Sequence, residues 1–239
     1  MLALLADLGL LALLGGLFGL DRRAAFQLML SQPIVAVPAL SLVFGHRPEA
    51  VWLGCVLQLL WMSAVLYGAN TPPNETVGAL TSAGIALLYG RHIGPVDDAV
   101  LALAVLLGAP TALLGRAADQ RLDRAGLALA ARADAAAQAG DLRALARVPL
   151  AGLLRVFGSH AALITVGTGL GLLVAWGLRA AIGQTLTTGL AALTRYVVPA
   201  LGLGVTLAMV RRRRGLGLGV VFFVVLLVVL GELEPGALP

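Results

Sequence analysis

The densest group of side chains able to do chemistry is Tyr67-Gly68-Ala69-Asn70-Thr71-Pro72-Pro73-Asn74-Glu75-Thr76, set between two apolar stretches, with Gln58 at helical spacing upstream. Gln58, Asn70, Thr71, Asn74 and Glu75 are the side chains a sugar site requires. An amide offers both donor and acceptor and a carboxylate accepts twice, so such groups make paired hydrogen bonds to vicinal hydroxyls. Gly68, Pro72 and Pro73 hold the backbone out of helix and free its own amides and carbonyls for a ligand. A polyol is neutral and strongly hydrated, and several such groups can replace its water without a fixed charge. The same residues would also make an ordinary exposed interhelical loop, in which Asn and Pro only form turns.

Other chemistries find less support in the chain. His46, His92 and His160 lie far apart without Cys or carboxylates at ligand spacing, so no metal site is expected. Cys55 has no partner in the chain, which excludes an internal disulfide and leaves packing in an apolar run as its reading. Gly167-Thr168-Gly169-Leu170-Gly171 resembles part of a dinucleotide loop, but it sits inside an apolar run with no strand before it, and helix packing through small residues explains it better. No catalytic residue and no cofactor are expected, and covalent chemistry would fall to another protein. Arg195, beside Tyr196 and Pro199, reads as an interface anchor, or functionally as a partner for Glu75 or for a carboxylate on another subunit.

The elements that must position these groups follow from composition. With 59% hydrophobic and 12% charged residues, the chain lacks the polar skin of a soluble domain. A bilayer supplies the missing apolar solvent, each helical crossing taking about 20 residues. Apolar stretches fall at 2–20, 24–44, 50–68, 76–90, 97–115, 157–178, 186–210 and 215–231. The fold class expected is therefore an all-α integral membrane protein of about eight hydrophobic segments. The Leu2–Leu20 run carries Asp7, lacks a basic leader and is followed by Asp21-Arg22-Arg23, so it reads as a membrane segment rather than a secretion signal. Pro33 and Pro38 interrupt the second stretch, and the short fourth follows Pro72-Pro73, as in discontinuous or re-entrant helices around a binding site.

Residues 116–155 break the pattern, being alanine-rich and studded with Arg and Asp. They are expected to form amphipathic helices broken near Gly140-Asp141, at a membrane surface or against a partner. This divides the chain into an N-terminal transmembrane half (1–115), a cytoplasmic helical segment (116–155) and a C-terminal transmembrane half (156–239). The net charge of +5 rests on arginines that punctuate apolar runs without groove-facing aromatics, which argues for topology and against nucleic acid. If 116–155 is cytoplasmic, eight alternating spans place Arg22, Arg23 and Arg211 to Arg214 on the same side, with Arg47, Arg91 and Arg179 opposite.

Beyond these physical signals, the blocks Leu20-Asp21, Gln32-Pro33-Ile34-Val35, Phe44-Gly45, Gly54-Cys55-Val56-Leu57-Gln58-Leu59 and Tyr67 to Thr76 resemble the IIC subunit of mannose/fructose/sorbose-type phosphotransferase systems. The resemblance continues at Ala133-Asp134-Ala135-Ala136 and Gly140-Asp141-Leu142 and covers most of the chain. It implies sugar contacts at Gln58 and within Asn70 to Glu75, with Asp21, Gln32 and Arg195 as secondary candidates. Gln58 stands where well-known mannose transporters carry Glu, and Asn74 where they carry Asp. The resemblance further implies a IID-like membrane partner, soluble IIA and IIB phosphocarriers, a homo-oligomer, and a place in the bacterial cytoplasmic membrane as a multi-pass permease that is not itself an enzyme. The function expected is that of a sugar-translocating subunit binding a hexose near the membrane midplane and presenting it to a cytosolic phosphoryl donor. The rivals are a transport-inactive scaffold or sensor for soluble phosphotransferase proteins and an unrelated secondary transporter.

Overall fold

A computed structural model describes residues 2–63, 71–209, 217 and 221, and every regular element among them is helical. In chain order these are α1 (Leu2–Arg23), α2 (Pro33–Phe44), α3 (Arg47–Trp61), α4 (Glu75–His92), α5 (Asp98–Gly108), α6 (Thr111–Gln138), α7 (Leu142–Ala181), α8 (Gln184–Ala192) and α9 (Val198–Met209). A single π-helical turn, Leu193–Val197, joins the last two.

Helix α4 has no polar face, and every residue from Thr76 to Tyr89 is buried. A helix that is apolar or small all round has no side to give to solvent and becomes the centre of the bundle. Helices α1, α2, α5, α6 and α7 pack around it. Small residues set the approach. The backbone of Gly108 in α5 lies so close to Ser82 of α4 that an added Cβ would stand 2.4 Å from the Ser82 nitrogen. The glycine-rich run at 167–171 has a packing role of the same kind: Gly167 meets Thr81, and Gly171 meets Ile85. Around this centre α1 and α7 run antiparallel, Gly15 lying against Ile164 and Gly19 against His160.

Among the described residues, four helical stretches are long and apolar enough to cross a bilayer: Leu2–Arg23, Asp98–Gln138, Leu142–Ala181 and Gln184–Met209. Leu13, Leu17, Val166, Leu170, Leu173 and Leu201 project from them, exposed in a way that suits hydrocarbon better than water. The chain is thus an all-α membrane protein whose long apolar helices are accompanied by shorter ones. At about 1.5 Å per residue, the 12-residue α2 and 15-residue α3 fall short of the ~30 Å hydrocarbon core, as segments that enter without crossing would. Helix α2 runs on through Pro38.

The structure adds detail at three points of the sequence reading. The stretch 24–44 is not one element, because residues 24–32 form a loop with Phe26, Gln27 and Met29 in left-handed conformations. The segment 116–155 is not separate from its neighbours: α6 starts at Thr111, and α7 carries on without a break through residue 155. The 40 residues of α7 measure about 60 Å, which exceeds a bilayer, so α6 and α7 leave the bundle as a hairpin. Its turn uses Gly140 at φ +69, and Asp141 caps α7 by accepting from the Arg143 and Ala144 amides. Cys55 faces outward rather than packing inside.

Charge sorts to two ends. Arg22 and Arg23 share one end with Glu75, Asp119 and Asp123, while the other gathers the pairs Asp7 with Arg91 and His92, Asp97 with Arg179, and Asp98 with Arg195. The run Arg211 to Arg214 and the last apolar stretch lie outside the described residues.

Candidate functional site

The chain enters α4 from an extended stretch, Thr71 to Asn74, that Pro72 and Pro73 keep from becoming helical. Asn74 ends that stretch as the N-cap: its Oδ1 accepts from the Val77 amide at 3.0 Å. Its own backbone amide reaches across to the Ala112 carbonyl at 2.9 Å, tying the start of α4 to α6. The next residue, Glu75, therefore points from the first turn of α4 toward the end of α1, where Arg22 meets it in a two-pronged pair. Arg22 Nε donates to Oε1 at 3.2 Å and Nη2 to Oε2 at 2.8 Å. A carboxylate in a helix's first turn is also favoured by the helix dipole.

Behind this pair lies a buried charge cluster. Asp119 of α6 is wholly enclosed and takes Arg22 at 3.1 Å, Arg23 at 2.8 Å and the Asn74 amide at 2.9 Å, while Arg23 also pairs with Asp123. Asn74 Nδ2 stands 3.0 Å from His160 Nε2, and His160 Nδ1 stands 3.0 Å from the Val156 carbonyl. Amide nitrogen only donates and a carbonyl only accepts, so His160 is held as the neutral tautomer with its proton on Nδ1. Every strong hydrogen-bonding group of Asn74 is consequently engaged within the protein.

In front of the pair opens a cavity of about 390 Å³, lined by Asp21, Arg22, Gln27, Met29, Ser31, Gln32, Gln58, Trp61, Met62 and Glu75. Gln58 and Gln32 face one another on its wall, Gln58 Nε2 donating to Gln32 Oε1 at 3.1 Å. Gln58 Oε1 accepts from the Ile34 amide at 3.3 Å. The Trp61 indole N–H is buried, with no hydrogen-bond partner among the described residues. One wall is the 24–32 loop. Left-handed backbone costs roughly 1–2 kcal/mol at a non-glycine residue, and here Phe26, Gln27 and Met29 all adopt it. The loop is fastened by Asp21, whose two oxygens accept from the Leu28 amide at 2.8 Å and the Ser31 amide at 2.9 Å. Thr76 Oγ1 adds a hydrogen bond to the Ser31 carbonyl at 3.1 Å.

The structure thus gathers Gln58, Glu75, Asp21 and Gln32, four residues from distant parts of the chain, around one cavity. Asn74, read from the sequence as a direct ligand, belongs to the packed support behind Glu75 and does not line the cavity. Thr71 is likewise not part of the wall, and Pro72 and Pro73 shape the entry into α4. Asn70 and Gly68 lie outside the described residues. Arg195 sits at the opposite end of the bundle, 2.5 Å from Asp98, so its suggested pairing with Glu75 does not occur. Residues 71–75 do not protrude into solvent: Pro72 and Asn74 are buried and the other three half-buried.

Sequence reasoning passed over Arg22, Gln27, Ser31 and Trp61 on the wall and Asp119 and His160 behind it. Arg22 had been absorbed into the topology argument, and 53 residues separate it from Glu75, beyond any local spacing rule. Among the described residues no group of three His, Cys, Asp or Glu side chains could hold a metal ion.

Comparison with known proteins bears on this arrangement. Residues 5–233 match the family described as EII-Sor, the PTS system sorbose-specific IIC component. No curated protein matches the sequence. Among solved structures, one titled only as the structure of a membrane protein is similar at a TM-score of 0.64 and 20% identity, covering 98% of this chain and 92% of that one. The cryo-EM structure of the mannose transporter ManYZ with microcin E492 (MceA) is similar at a TM-score of 0.59 and 18% identity, covering 95% and 91%. At those identities the likeness is one of fold.

Proposed function

Because the chain belongs to the sorbose-specific IIC family of phosphotransferase-system components, we propose that the Gln58–Gln32–Glu75 cavity is where a neutral sugar binds on its way through the membrane. Members of this family are membrane permease subunits, and phosphoryl transfer takes place on other subunits. The chain is a multi-pass permease component and not an enzyme.

The observation that carries the reading is the state of the charges on the wall. Both Glu75 oxygens are held by Arg22, and Asp21 is held by loop amides. Glu75 and Arg22 occupy one another and the Asp21 oxygens are turned to the loop, so the wall favours an uncharged guest. The hydrogen-bonding capacity still open on the wall lies in the Gln58 and Gln32 amides and in Gln27, a set suited to sugar hydroxyls. In this reading the sugar is then handed to a soluble IIB-type donor charged by IIA. The chain works beside a IID-like membrane subunit, in a homo-oligomer, in the bacterial cytoplasmic membrane.

Membrane vesicles supplied with labelled hexoses and the cognate soluble subunits test this. Sugar phosphate accumulating inside supports it. Free sugar accumulating on an ion gradient would make the protein a secondary transporter. No uptake of either kind would leave a scaffold for the soluble proteins.

A further inference from the structure

The 24–32 loop should not hold its shape by local preference alone. Three of its non-glycine residues, Phe26, Gln27 and Met29, are left-handed, and Phe26, Leu28 and Met29 turn large apolar side chains outward instead of burying them. What opposes its relaxation is a carboxylate at the end of α1. Asp21 is 4% exposed, and its two oxygens are aimed at the Leu28 and Ser31 amides. Between and beside those anchor points the loop delivers Gln27, Met29, Ser31 and Gln32 to the cavity.

We propose that Asp21 is a positioning residue for the sugar cavity, clamping a strained loop so that Gln27, Ser31 and Gln32 form its wall, and that it acts through the loop rather than by touching sugar. The proposal rests on the sugar-binding reading above. Geometry supports the indirect role: Asp21 borders the cavity but is only 4% exposed, and each of its oxygens is already directed at a loop amide. An amide in its place could satisfy one loop N–H but would turn an NH₂ toward the other, releasing one anchor.

The test uses the full-length protein in membrane vesicles with Cys55→Ser, which removes the chain's one cysteine, and a reporter Gln27→Cys. Adding Asp21→Asn is expected to speed labelling of the reporter by a maleimide severalfold. In the protein with Gln27 retained, Asp21→Asn is expected to raise the transport KM about tenfold, with maximal rate within about twofold. Phe26→Gly supplies the specific check. Its side chain is 73% exposed and off the wall, and glycine adopts the left-handed conformation freely, so in the Asp21→Asn background it is expected to slow labelling and recover part of the KM. Thr76→Val, which removes the other fastening, is expected to act like a milder Asp21→Asn and serves if that variant fails to fold. Unchanged labelling in Asp21→Asn and Thr76→Val overturns the clamp. So does a raised KM that Phe26→Gly leaves untouched, the signature of direct contact. Labelling that responds as expected in a protein that takes up no sugar upholds the clamp and refutes the sugar reading instead.

Discussion

Replacing Arg22 by Gln removes one guanidinium from a site where it serves two carboxylates. Its side chain is 9% exposed and that of Glu75 12% exposed, and the closest contact is 2.8 Å. With the effective dielectric of about 20 that describes such sites, the gross attraction at that distance is about 6 kcal/mol, most of which desolvation of the two groups offsets. The net worth of the pair is small, but the cost of breaking it is not, because a carboxylate is left behind without its cation. Removing one partner of a buried pair typically costs about 3–5 kcal/mol. The lower end applies to Arg22→Gln, since Glu75 borders a cavity that water can enter and Asp119 keeps Arg23 and Asn74.

Glu75→Gln is milder, about 1–2 kcal/mol, because Arg22 still has Asp119. The double variant removes both charges and is expected to cost only about 2 kcal/mol, leaving a coupling of about 2 kcal/mol between the two positions. For a chain of this length, 3 kcal/mol corresponds to a fall in melting temperature of about 6–12 °C. Thermal unfolding of the detergent-purified protein, without sugar, measures all three variants. Single effects that simply add, to within about 0.5 kcal/mol, would refute the claim that Arg22 is there to answer Glu75.

Gln58→Ala truncates a group on the wall and leaves α3 intact, so sugar affinity should fall about five- to tenfold in an equilibrium binding assay while assembly by size-exclusion chromatography is unchanged; equal affinity would remove Gln58 from the site. Asn74→Ala should act on stability rather than affinity. It loses a cap worth about 1 kcal/mol and leaves the buried His160 Nε2 without its donor at about 1–3 kcal/mol more, read as a lower melting temperature. Gly108→Ala should destabilise by about 1–3 kcal/mol, because the new methyl would meet the Ser82 backbone, which cannot step aside as a side chain can. Melting of that variant within a degree of the parent would contradict the close approach of α5 and α4.

The parts of the fold that were legible are those set by solvent. Where hydrocarbon is the partner, composition is the signal, and the Leu2–Arg23 helix and the apolar half of α7 could be read directly. Local chemistry was legible too: the Pro72-Pro73 pair does hold the chain extended, and Gly140-Asp141 does turn it. The 24–32 loop was not legible, since its residues are apolar enough for a helix and its shape comes from Asp21, a side chain on another element. Asn74 carries two signals at once. Asn followed by Glu-Thr-Val at the start of an apolar run is an N-cap pattern, and the sugar reading claimed an amide that the helix had already taken. Arg195 was placed by its neighbours in sequence, whereas its partner Asp98 lies 97 residues away at the other end of the bundle.

Gln at 58 and Asn at 74, uncharged amides rather than carboxylates, fit the charge balance of this site. Around Asp119 the structure sets two arginines against three carboxylates, Glu75, Asp119 and Asp123, with His160 neutral. A carboxylate at 74 would stand beside Asp119 in an enclosed place where, among the described residues, both arginines are already engaged by carboxylates. Asn74 does what a carboxylate cannot, accepting for the helix cap while donating to Asp119 and His160 at once. The same logic runs along the wall, where Gln58 donates to Gln32 and so lets the two amides meet without a charge between them. On the sugar reading proposed above, with Glu75 paired to Arg22 and Asp21 turned to the loop amides, selectivity falls to the neutral amides of the wall, which discriminate by the positions of hydroxyls.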